Sequence, residues 1–260
     1  MIAVLERPLA AVGRGTLAVA AEVGGIVLVL VRTIAALFPP RFYRRETLRA
    51  LAAFGVDSLP VVVATAAFTG TITVLQSALY VRRYGAYDFV GWYTGFVTFR
   101  EVGPILVGLM FSGRVGASNT SELATMAVTE QLDAVRVLAL DVYEILLLPR
   151  TLAMIVALAA LCAYGDLVAV AAGALSARLL LGVDFAPFAR SLVERLQPSD
   201  FLVGIEKAIA FGLVIAVVSA HFGITARGGS SGVGRAVNAQ VVACAVGLFV
   251  VDYFMTSLIR

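Results

Sequence analysis

The stretch Ser58 to Val81, SLPVVVATAAFTGTITVLQSALYV, contains no charged residue. A helix rises about 1.5 Å per residue, so about 20 mainly apolar residues carry it across the hydrocarbon core of a bilayer. This stretch exceeds that length and reads as a membrane span. Four more segments of the same character follow it. Phe89 to Gly113 is broken only by Arg100-Glu101, Thr151 to Ala177 carries Asp166, and Ala208 to Ala226 is entered from Ser199-Asp200. Ala236 to Ile259 carries Asp252. No soluble domain and no repeat of fixed period separates them.

Composition agrees with that reading. Hydrophobic residues make up 60% of the 260 and charged residues 14%, where soluble domains average about 45–50% and about 25%. The surplus of apolar surface needs lipid to cover it. The net charge of +3 is small, and its arginines are dispersed, which argues against a nucleic-acid binder.

Two segments read as helices that do not span. Residues 16–38 are apolar but hold Glu22 and Arg32 and end at Pro39-Pro40; this pattern suits a helix lying in the membrane interface. Residues 119–139 read as an amphipathic helix, with Asn119 as its cap and Glu122 three positions on, as in a capping box. Glu122, Thr129, Asp133 and Arg136 fall on one side of the wheel, and Leu123, Ala127, Val128, Leu132, Val135 and Leu138 on the other. A polar face on a connector between spans suggests docking onto a soluble partner; the alternative is a helix lying flat on the membrane.

Arginine placement orients the chain. Arg32, Arg41, Arg44, Arg45 and Arg49 crowd the entrance to the first span and mark that end as cytoplasmic. Alternation then puts 114–150 and Arg227 to Arg235 in the cytoplasm and the C-terminus outside, with Arg82 and Arg83 on the side that the rule disfavours. Ala18-Val19-Ala20 has the look of a cleavage site, but the apolar run follows it, so no cleavable signal is expected.

Charges inside spans are costly, and they pair or line a pathway. Arg100 lies about 16 Å from the outer end of its span, Lys207 about 10 Å below Ser199, and Asp252 about 11 Å below the C-terminal end. Three helices therefore place opposite charges in the same half of the membrane. Arg100, Glu101, Lys207 and Asp252 are expected to form one network near a central cavity, either as part of a transport mechanism or as an ion-pair cluster holding the bundle. Asp166 has no evident partner and marks a helix irregularity after Gly165. Gly91 and Gly95 have the spacing of a small-residue helix-packing motif.

Lys207 is the only lysine, and it lies outside any Gly-Lys-Ser/Thr sequence, so no Walker A phosphate loop exists here. If ATP drives this protein, another chain binds it. His221 is the only histidine, which excludes a multi-histidine metal site. Cys162 and Cys244 lie in apolar runs and read as buried structural thiols.

Arg100-Glu101-Val102-Gly103-Pro104, then Ser112-Gly113-Arg114-Val115-Gly116, then Ala127-Val128-Thr129-Glu130-Gln131-Leu132-Asp133-Ala134 resemble the MlaE/YrbE family of permeases from ABC transporters linked to MCE proteins. Gly55-Val56-Asp57-Ser58-Leu59-Pro60, Phe68-Thr69-Gly70 with Gln76, and Gly232-Val233-Gly234-Arg235-Ala236 extend the likeness from about residue 50 to the C-terminus. Val237-Asn238 stand where the family often has threonines, and the first 50 residues match only in character.

The resemblance implies an all-α integral membrane protein of the bacterial inner membrane. Residues 1–49 would hold an N-terminal interfacial elbow helix and residues 50–260 a five-span permease domain, with a cytoplasmic coupling helix at 119–139 between spans two and three. The N-terminus would be cytoplasmic and the C-terminus periplasmic. It further implies a homodimer, two cytoplasmic ABC ATPases that bind ATP and Mg, a periplasmic MCE ring, an accompanying STAS-domain protein, and phospholipid as cargo. Glu122, Glu130, Asp133 and Arg136 would be the ATPase contacts, and Arg100, Glu101, Lys207 and Asp252 would lie near the lipid cavity.

Two other classes compete. A proton-coupled secondary transporter would use Glu101 or Asp252 as the proton carrier and need no ATPase. An intramembrane serine protease would use Ser112 and His221, which alternation brings to the same side.

Overall fold

The computed structural model describes the backbone of residues 2–37 and 43–258, with side chains at 13 and from 15 onward. Among the described residues every regular element is helical: α1 Ile2–Ala35, α2 Arg44–Val56, α3 Leu59–Tyr84, α4 Val90–Val97, α5 Gly103–Phe111, α6 Ala117–Val128, α7 Gln131–Val137, α8 Leu148–Leu181, α9 Phe185–Arg195, α10 Pro198–Ile224 and α11 Gly229–Leu258. Among the described residues six helical stretches are long and apolar enough to cross a membrane: Gly15–Ala35, Leu59–Tyr84, Tyr87–Val128, Tyr143–Leu181, Pro198–Ile224 and Gly229–Leu258.

The last five of these correspond to the five expected spans, apart from Ile259 at the end of the last, which lies outside the described residues. The first is the segment expected to lie in the interface, and its length and apolarity equal those of a span. Its packing differs from that of the central helices. Only 11% of its apolar window is buried, against 56% for α8 and α10, so α1 meets the rest along one seam. There the Glu22 carboxylate meets His221 Nε2 at 2.8 Å, and the His221 ring lies against Gly25. Val29 packs with Leu123, Leu147, Val217 and Ala220, and Arg32 covers the Tyr143 ring. The two charges in this apolar segment are thus both engaged.

α8 is the central helix and packs against α2, α3 and α10. Its closest neighbour is α3. A Cβ at Gly70 would run into the Ala169 carbonyl, so only glycine permits that approach. The threonines of α3 donate within their own helix, Thr65, Thr69, Thr71 and Thr73 each to the carbonyl four residues back, and Thr71 Oγ1 also accepts from Ser176 Oγ of α8 at 3.1 Å. This local bonding lets an apolar span carry hydroxyl groups.

The second span is one continuous helical run built from α4, α5 and α6, joined by π-helical turns at Thr98–Val102 and Ser112–Gly116. A third π turn, Tyr143–Leu147, opens α8. Two of these turns lie just before a proline in the first turn of the next helix, Pro104 and Pro149, where its missing N–H and fixed φ are tolerated. A π turn adds one residue to the helical register, which redirects the side chains beyond it by about 100°.

The amphipathic helix expected at 119–139 is divided differently. Asn119 is no cap: it is buried inside α6 and donates to Ser219 Oγ at 2.8 Å. Residues 119–128 complete the second span. The chain then breaks at Thr129-Glu130, and a separate short helix, α7, follows. α6 packs against α10 and α11, and this tertiary contact buries a residue whose local sequence reads as a helix start.

An element not foreseen from sequence, α9, covers the other end of the bundle. Gly91 and Gly95, with the spacing of a span-to-span contact, lie against the Phe188 carbonyl and Leu192 of this helix instead.

Candidate functional site: a charge cluster between three spans

The π turn Thr98–Val102 directs Glu101 toward α10 and α11. There the Lys207 ammonium, fully buried on α10, donates to Glu101 Oε2 at 2.7 Å and to Thr256 Oγ1 at 2.7 Å. Asp252 Oδ1 lies 3.0 Å from the same nitrogen, an ion-pair contact outside directional hydrogen-bond geometry. Thr256 in turn donates to Glu101 Oε1 at 3.2 Å. Lys207 thus has three oxygens around its three donors, the condition under which an ammonium tolerates burial. The trio carries one positive and two negative formal charges, a net of −1.

Arg100, expected in the same network, turns elsewhere. Its Nη1 meets Asp200 Oδ1 at 3.3 Å, and its guanidinium lies over the Phe96 ring. Asp200 has two tasks, since its Oδ2 also accepts the Gln197 N–H in a capping box at the start of α10. The cluster is therefore two neighbouring groups, Glu101 with Lys207, Asp252 and Thr256, and Arg100 with Asp200. Successive residues of one turn cannot point the same way, and this divides them. Sequence reasoning missed Asp200 and Thr256. Gln197-Pro198 with an acid three positions on is a helix-start signal that could have found the first; a lone threonine has no such signal.

Exposure in this cluster is uneven. The Lys207 side chain is 0% exposed, Asp252 17% and Glu101 38%. Glu101 therefore opens to one side of the bundle, beside α11, whose Val246, Phe249, Val250, Tyr253 and Phe254 are exposed.

The expected partner-contact residues lie around α7. Glu122, on α6, is bonded to Arg150 Nη1 at 2.9 Å, and Arg150 also donates to Asn119 Oδ1. Asp133 and Arg136 pair with each other on the exposed face of α7, 2.7 Å apart. Glu130 and Ala139 bracket α7, and both have left-handed backbone at φ 61° and 56°, which costs a non-glycine residue about 1–2 kcal/mol. Such strain collects at functional segments. Leu132 anchors the helix while Val137 and Leu138 stand exposed.

Ser112 and His221 do not meet. Ser112 Oγ accepts from Gln240 Nε2 at 3.3 Å and His221 is held by Glu22, so the protease pairing is absent among the described residues. Cys162 and Cys244 are buried free thiols. Among the described residues no group of three or more His, Cys, Asp or Glu could hold a metal.

A polytopic helical bundle with ion-paired side chains between its spans defines this chain as a multi-pass membrane protein. Residues 47–258 match the family described as Permease MlaE, and the chain belongs to that family. It is 35% identical over 247 residues to a probable ABC transporter permease protein of Rickettsia conorii, covering 95% of each chain. A probable ABC transporter permease protein of Synechocystis is 31% identical over 218 residues, 84% of this chain and 83% of the relative. The Arabidopsis thaliana protein named TRIGALACTOSYLDIACYLGLYCEROL 1, chloroplastic, is 32% identical over 217 residues, 84% of this chain and 62% of the relative. Of the motif segments that carry the family likeness, Arg100 to Pro104 overlaps the end of the first π turn of the second span and Ser112–Gly116 is its second π turn.

Proposed function

We propose that this chain is the permease subunit of an ABC transporter that moves phospholipid between the bacterial inner membrane and a periplasmic MCE protein. The exposure of Glu101 carries the reading. A carboxylate held in ion pairs yet 38% open does not face hydrocarbon, where an exposed charge is strongly disfavoured. The side to which it opens must be a water-lined cavity or a covered interface. A second copy packed on the exposed apolar face of α11 would close such a cavity, with Arg100, Glu101, Lys207 and Asp252 of each copy near lipid headgroups and apolar side chains around the tails. Membership of a permease family, and a relative named for a diacylglycerol lipid, support a lipid cargo.

The rest of the assembly follows from that reading. Two cytoplasmic ATPases supply the ATP and Mg sites that this chain lacks the motif to build. They push on the segment around α7, where Glu122, Glu130, Asp133 and Arg136 make the contacts. A periplasmic MCE ring receives or delivers lipid at the other end, and a STAS-domain protein accompanies the ATPases. α1 acts as the interfacial elbow, the N-terminus is cytoplasmic and the C-terminus periplasmic.

Purification of the intact complex in mild detergent, with mass spectrometry of bound lipid and identification of the co-purifying chains, tests this. An ATPase, an MCE protein and phospholipid are expected together. Recovery without either protein partner overturns the reading.

A further inference from the structure

Asp166 stands apart from the charge cluster. It lies near the middle of α8, about 27 Å from Leu148 and about 22 Å from Leu181 along the axis. It is 1% exposed, and among the described residues neither carboxyl oxygen has a hydrogen-bond partner. Thr98, which opens the π turn, is fully buried, and among the described residues its hydroxyl has no partner. Gly103 directly follows that turn. A Cβ there would stand 2.6 Å from Asp166 Oδ1 and 2.5 Å from the Thr98 carbonyl oxygen, so the carboxyl rests directly on the backbone where the π turn Thr98–Val102 ends.

No cation reaches this carboxyl among the described residues. On the π turn, Arg100 goes to Asp200 and Glu101 to Lys207; on α10, Lys207 is surrounded by Glu101, Thr256 and Asp252, and His221 is held by Glu22. On α3, Arg82 donates to the Leu180 carbonyl, about 21 Å further along α8, and Arg83 lies over Tyr84. The α2 charges, with Arg150, lie toward the opposite end of α8, and α5 has no titratable residue. Cys162 lies one turn back on α8. An isolated carboxylate in an apolar interior is strongly disfavoured and is neutralised instead.

We propose that Asp166 is a proton-binding site, its carboxyl held as the neutral acid against the π turn. Loss of the proton would set a bare carboxylate against the backbone at Gly103 and drive α8 away from the turn that carries Arg100 and Glu101. Protonation at Asp166 is thereby linked to the geometry of the charge cluster. This inference does not depend on lipid being the cargo.

Infrared spectroscopy of the full-length protein in bilayers, with carboxyl-labelled aspartate, tests it from about pH 5 to about pH 9. A protonated-acid carbonyl band is expected at about pH 7, lost in Asp166→Asn and moved to a glutamic-acid position, free of the label, in Asp166→Glu. If Asp166→Asn removes only carboxylate absorption, the proposal is overturned. Should neither variant fold, the wild type decides: a protonated-aspartate band at about pH 7 supports the site, and its absence overturns it.

Discussion

Lys207 Nζ and Glu101 Oε2 lie 2.7 Å apart although 106 positions separate them in the chain, and this contact ties the second span to α10 inside the bundle. A lysine with no exposed surface depends on its partners remaining in place.

Removing that lysine should be severe. Lys207→Met leaves Glu101 and Asp252 as uncompensated carboxylates, a loss of about 3–5 kcal/mol. Thermal unfolding in detergent should show a large drop for Lys207→Met and a smaller one for Glu101→Gln, which keeps an oxygen acceptor. The double variant should lose less than the sum of the two, since one interaction is removed twice.

The α3–α8 contact should tolerate no side chain at position 70. Gly70→Ala presses a methyl into the Ala169 carbonyl, with an expected cost of about 1–3 kcal/mol. Gly113→Ala, with nothing within 4 Å of the added carbon, is the control and should leave the melting temperature nearly unchanged.

Asn119 is a structural bridge between Ser219 and Arg150. Asn119→Ala strands buried polar groups and should cost about 1–3 kcal/mol in thermal unfolding. A surface helix cap would lose only about 1 kcal/mol, but the decisive contrast is with Ser219→Ala. That variant should be measurably destabilised only if Asn119 lies inside the bundle.

The exposed end of α7 should govern partner binding without governing the fold. Val137→Asp is expected to weaken ATPase recovery about tenfold, equivalent to about 1.4 kcal/mol, with no change in the melting temperature of the permease alone. Glu130→Gly should instead raise stability by about 1 kcal/mol through relief of the left-handed strain. Titration of a tagged ATPase onto the solubilised permease measures the first, and calorimetry the second.

Hydropathy located every central span because the need to bury backbone polar groups in lipid acts locally and over whole helices. The stretch Ser58 to Val81 became the larger part of α3, and Thr151 to Ala177 became the middle of α8. Family motifs were equally legible. Short-range signals misled where a distant helix overrode them. Asn119 has the residues of a cap around it, but α10 presses on that turn and buries it. Gly91 and Gly95 do form a close-packing face, yet the surface they meet is α9, a helix too short and too charged to stand out in a membrane sequence.

By itself the amino-acid sequence determined that this chain is a helical membrane protein, that it has no Walker A loop, and that Arg100, Glu101, Lys207 and Asp252 lie at similar depth. Those properties follow from composition, from residue absence and from a fixed rise per residue. Only the tertiary structure decided that Lys207 takes Glu101 and Asp252 while Arg100 takes Asp200. Those outcomes depend on azimuth, which one added residue in a π turn changes by about 100°. A hydropathy profile has no record of that angle.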